Sequence, residues 1–152
     1  MANYSDVPRP ESVLYFEQNL RRHSNIDYYE KMEDFVYKLV LREGNIYLVW
    51  LTNKYTVSIN DVVEKIDEGF DALVTISMWN GYTSEAKKYA LENQFGLFTF
   101  REFMGALNFL DPSQYYTGID EKDGKRLYGE HGYKFDWWYR IKKNIKRENS
   151  VW

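Results

Sequence analysis

An α/β fold built on one mixed sheet is what this chain predicts, and three stretches carry the prediction. Residues 70–107, FDALVTISMWNGYTSEAKKYALENQFGLFTFREFMGAL, read as strand, loop, helix, strand and helix in succession. Strand and helix alternating at that spacing imply a parallel βαβ crossover. Residues 36–54, VYKLVLREGNIYLVWLTNK, place two β-rich runs around Arg42-Glu43-Gly44-Asn45, a hairpin that adds an antiparallel edge. From Glu11 to about Phe35, apolar residues including Val13, Phe16, Leu20, Tyr28, Met32 and Phe35 recur three and four apart. That period predicts helix, split in two at His23-Ser24-Asn25.

The later elements follow from local signals. Ser58-Ile59-Asn60-Asp61 starts a short helix that turns Val62, Val63 and Ile66 inward and ends at Gly69. Ala72 to Ser77 is a short apolar run of the kind a doubly covered strand requires. The loop Met78 to Tyr82 contains the turn pair Asn80-Gly81, and Thr83 N-caps a helix carrying Glu85 in its first turn. Asn93 with Gly96 closes that helix, Gly96 to Phe100 forms a strand, and Arg101 to Leu107 begins another helix. Beyond Asn108, turn signals at Asp111-Pro112, Thr117-Gly118 and Asp123-Gly124 predict an irregular loop, followed by a terminal helix from Phe135 to Trp152. The organisation expected is a flexible arm over 1–10, a core domain over 11–108, and an extension over 109–152 packed on that same domain. A small Rossmann-like sheet is the alternative, because residues 70–107 alone fit both architectures.

Composition narrows the chemistry. At 152 residues the chain can bury a core without staples. With no cysteine it forms no disulfide, thiolate nucleophile or cysteine-ligated metal site. No apolar run approaches the roughly 20 residues that span a bilayer, and the N-terminus lacks a secretory pattern. A soluble, cytoplasmic protein is the expectation. Net charge is −3, but residues 137–152, WWYRIKKNIKRENSVW, oppose Arg140, Lys142, Lys143, Lys146 and Arg147 to Glu148 alone. A basic, aromatic-flanked terminus on an acidic body can follow nucleic-acid phosphates; a solvated terminal helix is the plainer reading. The 14 Tyr, 9 Phe and 5 Trp exceed what a small core readily holds, which suits an interface with a protein partner or a second copy.

The element order, with Val74-Thr75-Ile76-Ser77, then Asn80-Gly81-Tyr82-Thr83-Ser84-Glu85-Ala86 and Tyr89-Ala90, resembles the restriction-endonuclease-like, or PD-(D/E)XK, superfamily, and Mrr-type domains above all. The resemblance covers residues 36–107 and implies a nuclease fold acting on DNA or RNA. It also implies a Mg²⁺ site, made from an acidic residue on the first hairpin strand and an acid or Gln, any residue, then Lys on the second. The carboxylates would be hard oxygen ligands, with the Lys beside the attacking water. Here the pattern fails. Lys38 or Leu39 stands at the first position and Trp50-Leu51-Thr52 at the second. A slip of two residues preserves the strand face and brings Lys54 into place, and Glu33 or Asp34 could lend a carboxylate from the preceding helix. The resemblance thus implies a nuclease-like domain without catalysis that binds nucleic acid or a protein, requiring no cofactor. An active Mg²⁺ enzyme using Glu33, Asp34 and Lys54 is the alternative, and a protein-interaction or oligomerisation module the third.

No other catalytic pattern is present: GxSxG, HExxH and a Gly-rich phosphate loop are all missing. Asp61, Glu64 and Glu68 share a helix face, which is ordinarily just solvated. The remaining candidate is the loop after the central strand. Ser77, Asn80, Thr83 and Ser84 offer hydroxyls and an amide, and Trp79 and Tyr82 offer stacking surfaces. The loop stands at a strand C-terminus and a helix N-terminus, where anions and ligands favour open α/β sheets. The alternative is that Asn80-Gly81 only makes the turn and Thr83 only caps.

Overall fold

The computed structural model describes residues 6–109 and 111–116. Pro10 starts helix α1 (Pro10–Arg22), where its missing N–H costs nothing. Phe16 and Leu20 form its buried stripe. The helix predicted to resume after residue 25 does not form. Asn25 turns the chain, its side-chain amide donating to the Leu107 carbonyl (3.2 Å), and residues 26–33 continue as strand β1 (Ile26–Glu33). Tyr28 and Met32 stand four apart, a spacing that satisfies both a helical and a two-residue period. The chain takes the period that β2 can pair with.

Strand β2 (Val36–Leu41) pairs antiparallel with β1 and with β3 (Ile46–Thr52). Gly44 holds φ of 95° in the hairpin turn, a conformation a side chain would strain. After a two-residue strand β4 (Thr56–Val57), helix α2 (Ile59–Asp67) begins with Asp61 accepting the Ser58 N–H at 2.8 Å. Strand β5 (Ala72–Thr75) then runs parallel to β3. The loop after it contains a second short strand, β6 (Gly81–Tyr82), paired parallel with β4. This two-stranded ladder was not visible in the sequence. Helix α3 (Ser84–Glu92) starts with the Thr83 hydroxyl accepting the Ala86 N–H (3.1 Å). It ends through Gln94 at φ 53°, not through Gly96. Gly96 opens strand β7 (Gly96–Thr99), where a Cβ would lie 2.6 Å from the Phe98 ring and 3.0 Å from Ala72 Cβ. Helix α4 (Phe100–Ala106) follows, with Thr99 and Glu102 capping each other.

The five-stranded sheet runs β1-β2-β3-β5-β7, antiparallel in its first three strands and parallel in its last three. It is therefore mixed, not the all-parallel Rossmann-like alternative. One face buries Phe16, Tyr37, Leu39, Val49, Leu51 and Phe103 under α1 and α4. On the other, α2 and α3 cover Leu73, Leu97 and Phe95. Residues 112–114 make a 3-10 turn near β7 and α3. Of the expected arm, the described part is tied down: the Asp6 carbonyl accepts the Asn53 N–H (2.9 Å) and the Thr52 hydroxyl (3.2 Å), and Pro8 is buried.

Candidate functional site

The C-terminal ends of β3 and β5 and the loop after β5 converge on one polar network. Asn80 is 3% exposed. Its amide donates to Asn53 Oδ1 (3.0 Å) and to Thr75 Oγ1 (2.9 Å), and Ser77 Oγ donates to the same Asn53 oxygen. The Thr75 hydroxyl in turn donates to the Lys54 carbonyl at 2.8 Å. The Lys54 ammonium sits 2.8 Å from Asp61 Oδ1. Burial works against the Asp61 charge, but Lys54 and the Ser58 donors hold its carboxyl below the ordinary range.

The candidate residues therefore divide. Ser77 and Asn80 lock the loop onto β3, Thr83 caps α3, and the Thr83 N–H is already bonded to the Val57 carbonyl (3.0 Å). Tyr82 donates its hydroxyl to both Glu102 oxygens at 2.8 Å. Ser84 is exposed in the first turn of α3. Trp79 is 62% exposed and its neighbour Met78 85%. Only this pair of the loop is presented outward as an apolar surface. Both flank an open cleft of about 750 Å³ between α1 and α4, lined also by Tyr15, Phe100, Arg101 and Met104.

The metal-site candidates share one end of the sheet, because the Leu51 N–H donates to the Phe35 carbonyl (2.9 Å) and so sets the β1–β2 turn beside the end of β3. Glu33 and Asp34 come from a strand end and that turn, however, and not from a helix; both are exposed. Lys54 is turned to Asp61. Among the described residues no three His, Asp or Glu side chains group as a metal site. Arg140, Lys142, Lys143, Lys146 and Arg147 lie outside the described residues.

Sequence reasoning missed a second polar cluster. Lys87 is fully buried in α3; its ammonium donates to the Leu97 carbonyl (2.5 Å) and the Tyr115 carbonyl (3.2 Å). The Phe98, Tyr82 and Tyr116 rings lie 4.6–5.6 Å from it. Burial pushes its pKa down to about 8 against an opposing pull from Glu102. The available signal was its place beside Ala86 and one turn before Ala90, on the helix's inward stripe. Asn53 and Tyr15 carried no signal.

No helix among the described residues is long and apolar enough to cross a membrane. The chain matches no family profile, no curated protein and no solved structure.

Proposed function

We propose that this chain is a binding domain on a restriction-endonuclease-like scaffold, one that does not cleave nucleic acid and that receives an apolar segment of a protein partner in the cleft beside Trp79. The open cleft, with Trp79 and Met78 exposed at its edge and Tyr15 in its wall, carries the reading. Trp, Tyr and Met are the side chains that protein interfaces concentrate, and Trp and Tyr most often dominate their energetics. The Asn80 network holds the backbone beneath Trp79, so less ordering entropy is lost on binding. Where the nuclease pattern places its two metal ligands stand Lys38 or Leu39 and Trp50, Thr52 takes the place of its Lys, and Lys54 is committed to Asp61. Selection of a phage-displayed peptide library on the whole chain tests this. Peptides that bind the wild type are expected to lose at least tenfold in affinity against Trp79→Ala. Equal binding by the variant, or no enrichment at all, removes the reading.

The basic cluster Arg140 to Arg147 favours a second reading, electrostatic binding of nucleic acid in the cytoplasm. Affinity for labelled duplex or single-stranded DNA would then fall steeply with salt and disappear when the five residues are neutralised. Plasmid cleavage with Mg²⁺ or Mn²⁺ that Lys54→Ala abolishes would replace both readings with a nuclease that takes its ligands from Glu33 or Asp34.

A further inference from the structure

The two faces of the sheet are unequally covered. On the α1 side Tyr37, Leu39 and Leu41 of β2 are buried, so Lys38 and Val40 alternate onto the opposite face. There α2 and α3 cover β5, β7 and Trp50, the inward-turned residue of β3. No described helix covers β1, β2 and the first half of β3 on that side. The register places Tyr28, Val40 and Ile46 in one row across the three strands, and Glu30, Lys38 and Leu48 in the next. Tyr28 is 50% and Ile46 56% exposed, while Val40 and Leu48 are half-buried. Glu30 and Lys38 form no ion pair among the described residues. The edge strand β1, with the turn that follows it, adds Asp27, Glu33 and Asp34, whereas Lys31 is drawn to Glu17 on α1.

This surface needs a cover that is apolar and net positive. A second copy of the same face would set its acidic rim against itself. Residues 117–152 have the required charge: nine Lys or Arg against six Asp or Glu, whereas residues 1–116 carry eleven against seventeen. Their last sixteen residues combine Trp137, Trp138, Ile141, Ile145 and Trp152 with five cations. We propose that residues 137–152 of the same chain lie across the bare face of β1, β2 and β3, their apolar side chains on the Tyr28-Val40-Ile46 row and their cations toward the acidic rim. The chain is long enough. From Tyr116 near β7 to the bare strands is about 20 Å at the usual strand spacing. The twenty residues 117–136 reach roughly 60 Å when extended. The inference does not rest on the cleft beside Trp79.

The chain contains no cysteine, so a nitroxide on Asn144→Cys of the full-length protein is a unique probe. The expected result is paramagnetic loss of the Tyr28, Val40 and Ile46 amide signals, unchanged on dilution, with the signals around Trp79 retained. A second sample carrying Ile46→Lys as well, at a position too exposed to threaten folding, is expected to recover them. Intact Tyr28, Val40 and Ile46 signals overturn the proposal. So does broadening that fades on dilution, which would report a second copy, or broadening that Ile46→Lys leaves in place.

Discussion

Lys87 should make this protein more stable as the solution becomes alkaline, against the usual trend. Its ammonium is fully buried, and its pKa falls from 10.5 to about 8. Between those values the unfolded chain holds a proton that the folded chain has released, so stability rises with pH through that window. At pH 7 the lysine is mostly protonated in both states, and burying the charge costs about 3 kcal/mol relative to the neutral amine. Raising the pH to 9.5 recovers about 2 kcal/mol of this. Two tyrosines work in the opposite direction. Burial first, then Glu17, raises the Tyr37 pKa; burial first, then Asp111, raises that of Tyr47. Both favour folding below the unfolded phenol pKa of about 10 and lose that effect above it, so the measurement stops at pH 9.5. Urea unfolding of wild type and Lys87→Met at pH 7 and 9.5 isolates the lysine. The variant removes the charge but leaves the Leu97 and Tyr115 carbonyls without this donor, about 1–3 kcal/mol, so the two proteins should be of similar stability at pH 7. At pH 9.5 the wild type should lead by about 2 kcal/mol. Parallel pH profiles for the two would refute the reasoning.

Gly96→Ala should cost about 1–3 kcal/mol in chemical denaturation, since the new methyl meets the Phe98 ring at 2.6 Å and Ala72 at 3.0 Å. Thr83→Ala should lose about 0.5–2 kcal/mol through its cap, visible as a lower midpoint with an unchanged denaturant slope. Asn80→Ala should cost about 1–3 kcal/mol by taking its donor from the buried Thr75 hydroxyl and leaving Asn53 Oδ1 with Ser77 alone, and hydrogen exchange should quicken across residues 77–83. Trp79→Ala should shift stability by no more than about 0.5 kcal/mol, so any binding it abolishes in the cleft is a loss of contact and not of fold.

The parallel half of the fold was legible because its signals were redundant. The apolar run of β5, the Thr83 cap and the inward stripe of α3 each pointed to the same strand-to-helix unit, and the Arg42–Asn45 turn had Gly44 where positive φ was needed. β1 was illegible for a specific reason. Its apolar residues are spaced at multiples compatible with either period, and it is an edge strand whose exposed side imposes little pattern. Only pairing with β2 decides between helix and strand, and that is a tertiary term outside any local window. The ladder of β4 with β6 was hidden similarly, being two residues long on each side and made by loop segments 24 or more residues apart.

The contacts made by the loop after β5 are not legible in the sequence, and the reason is physical. Asn, Ser and Thr are versatile hydrogen-bonding groups, which in a sequence makes this loop's polar residues candidate ligand donors. In an ordered loop that versatility is first claimed by the loop itself, since every buried polar group must be satisfied before the chain can stay folded. Asn80 and Ser77 therefore turn inward to Asn53, and Tyr82 to Glu102. Trp79 and Met78 have no such internal claim and remain in solvent, where they lack the protection a core would give them. Two large apolar side chains side by side in water are costly to expose, and on the proposed reading the hydrogen-bonded network beneath them supports that surface.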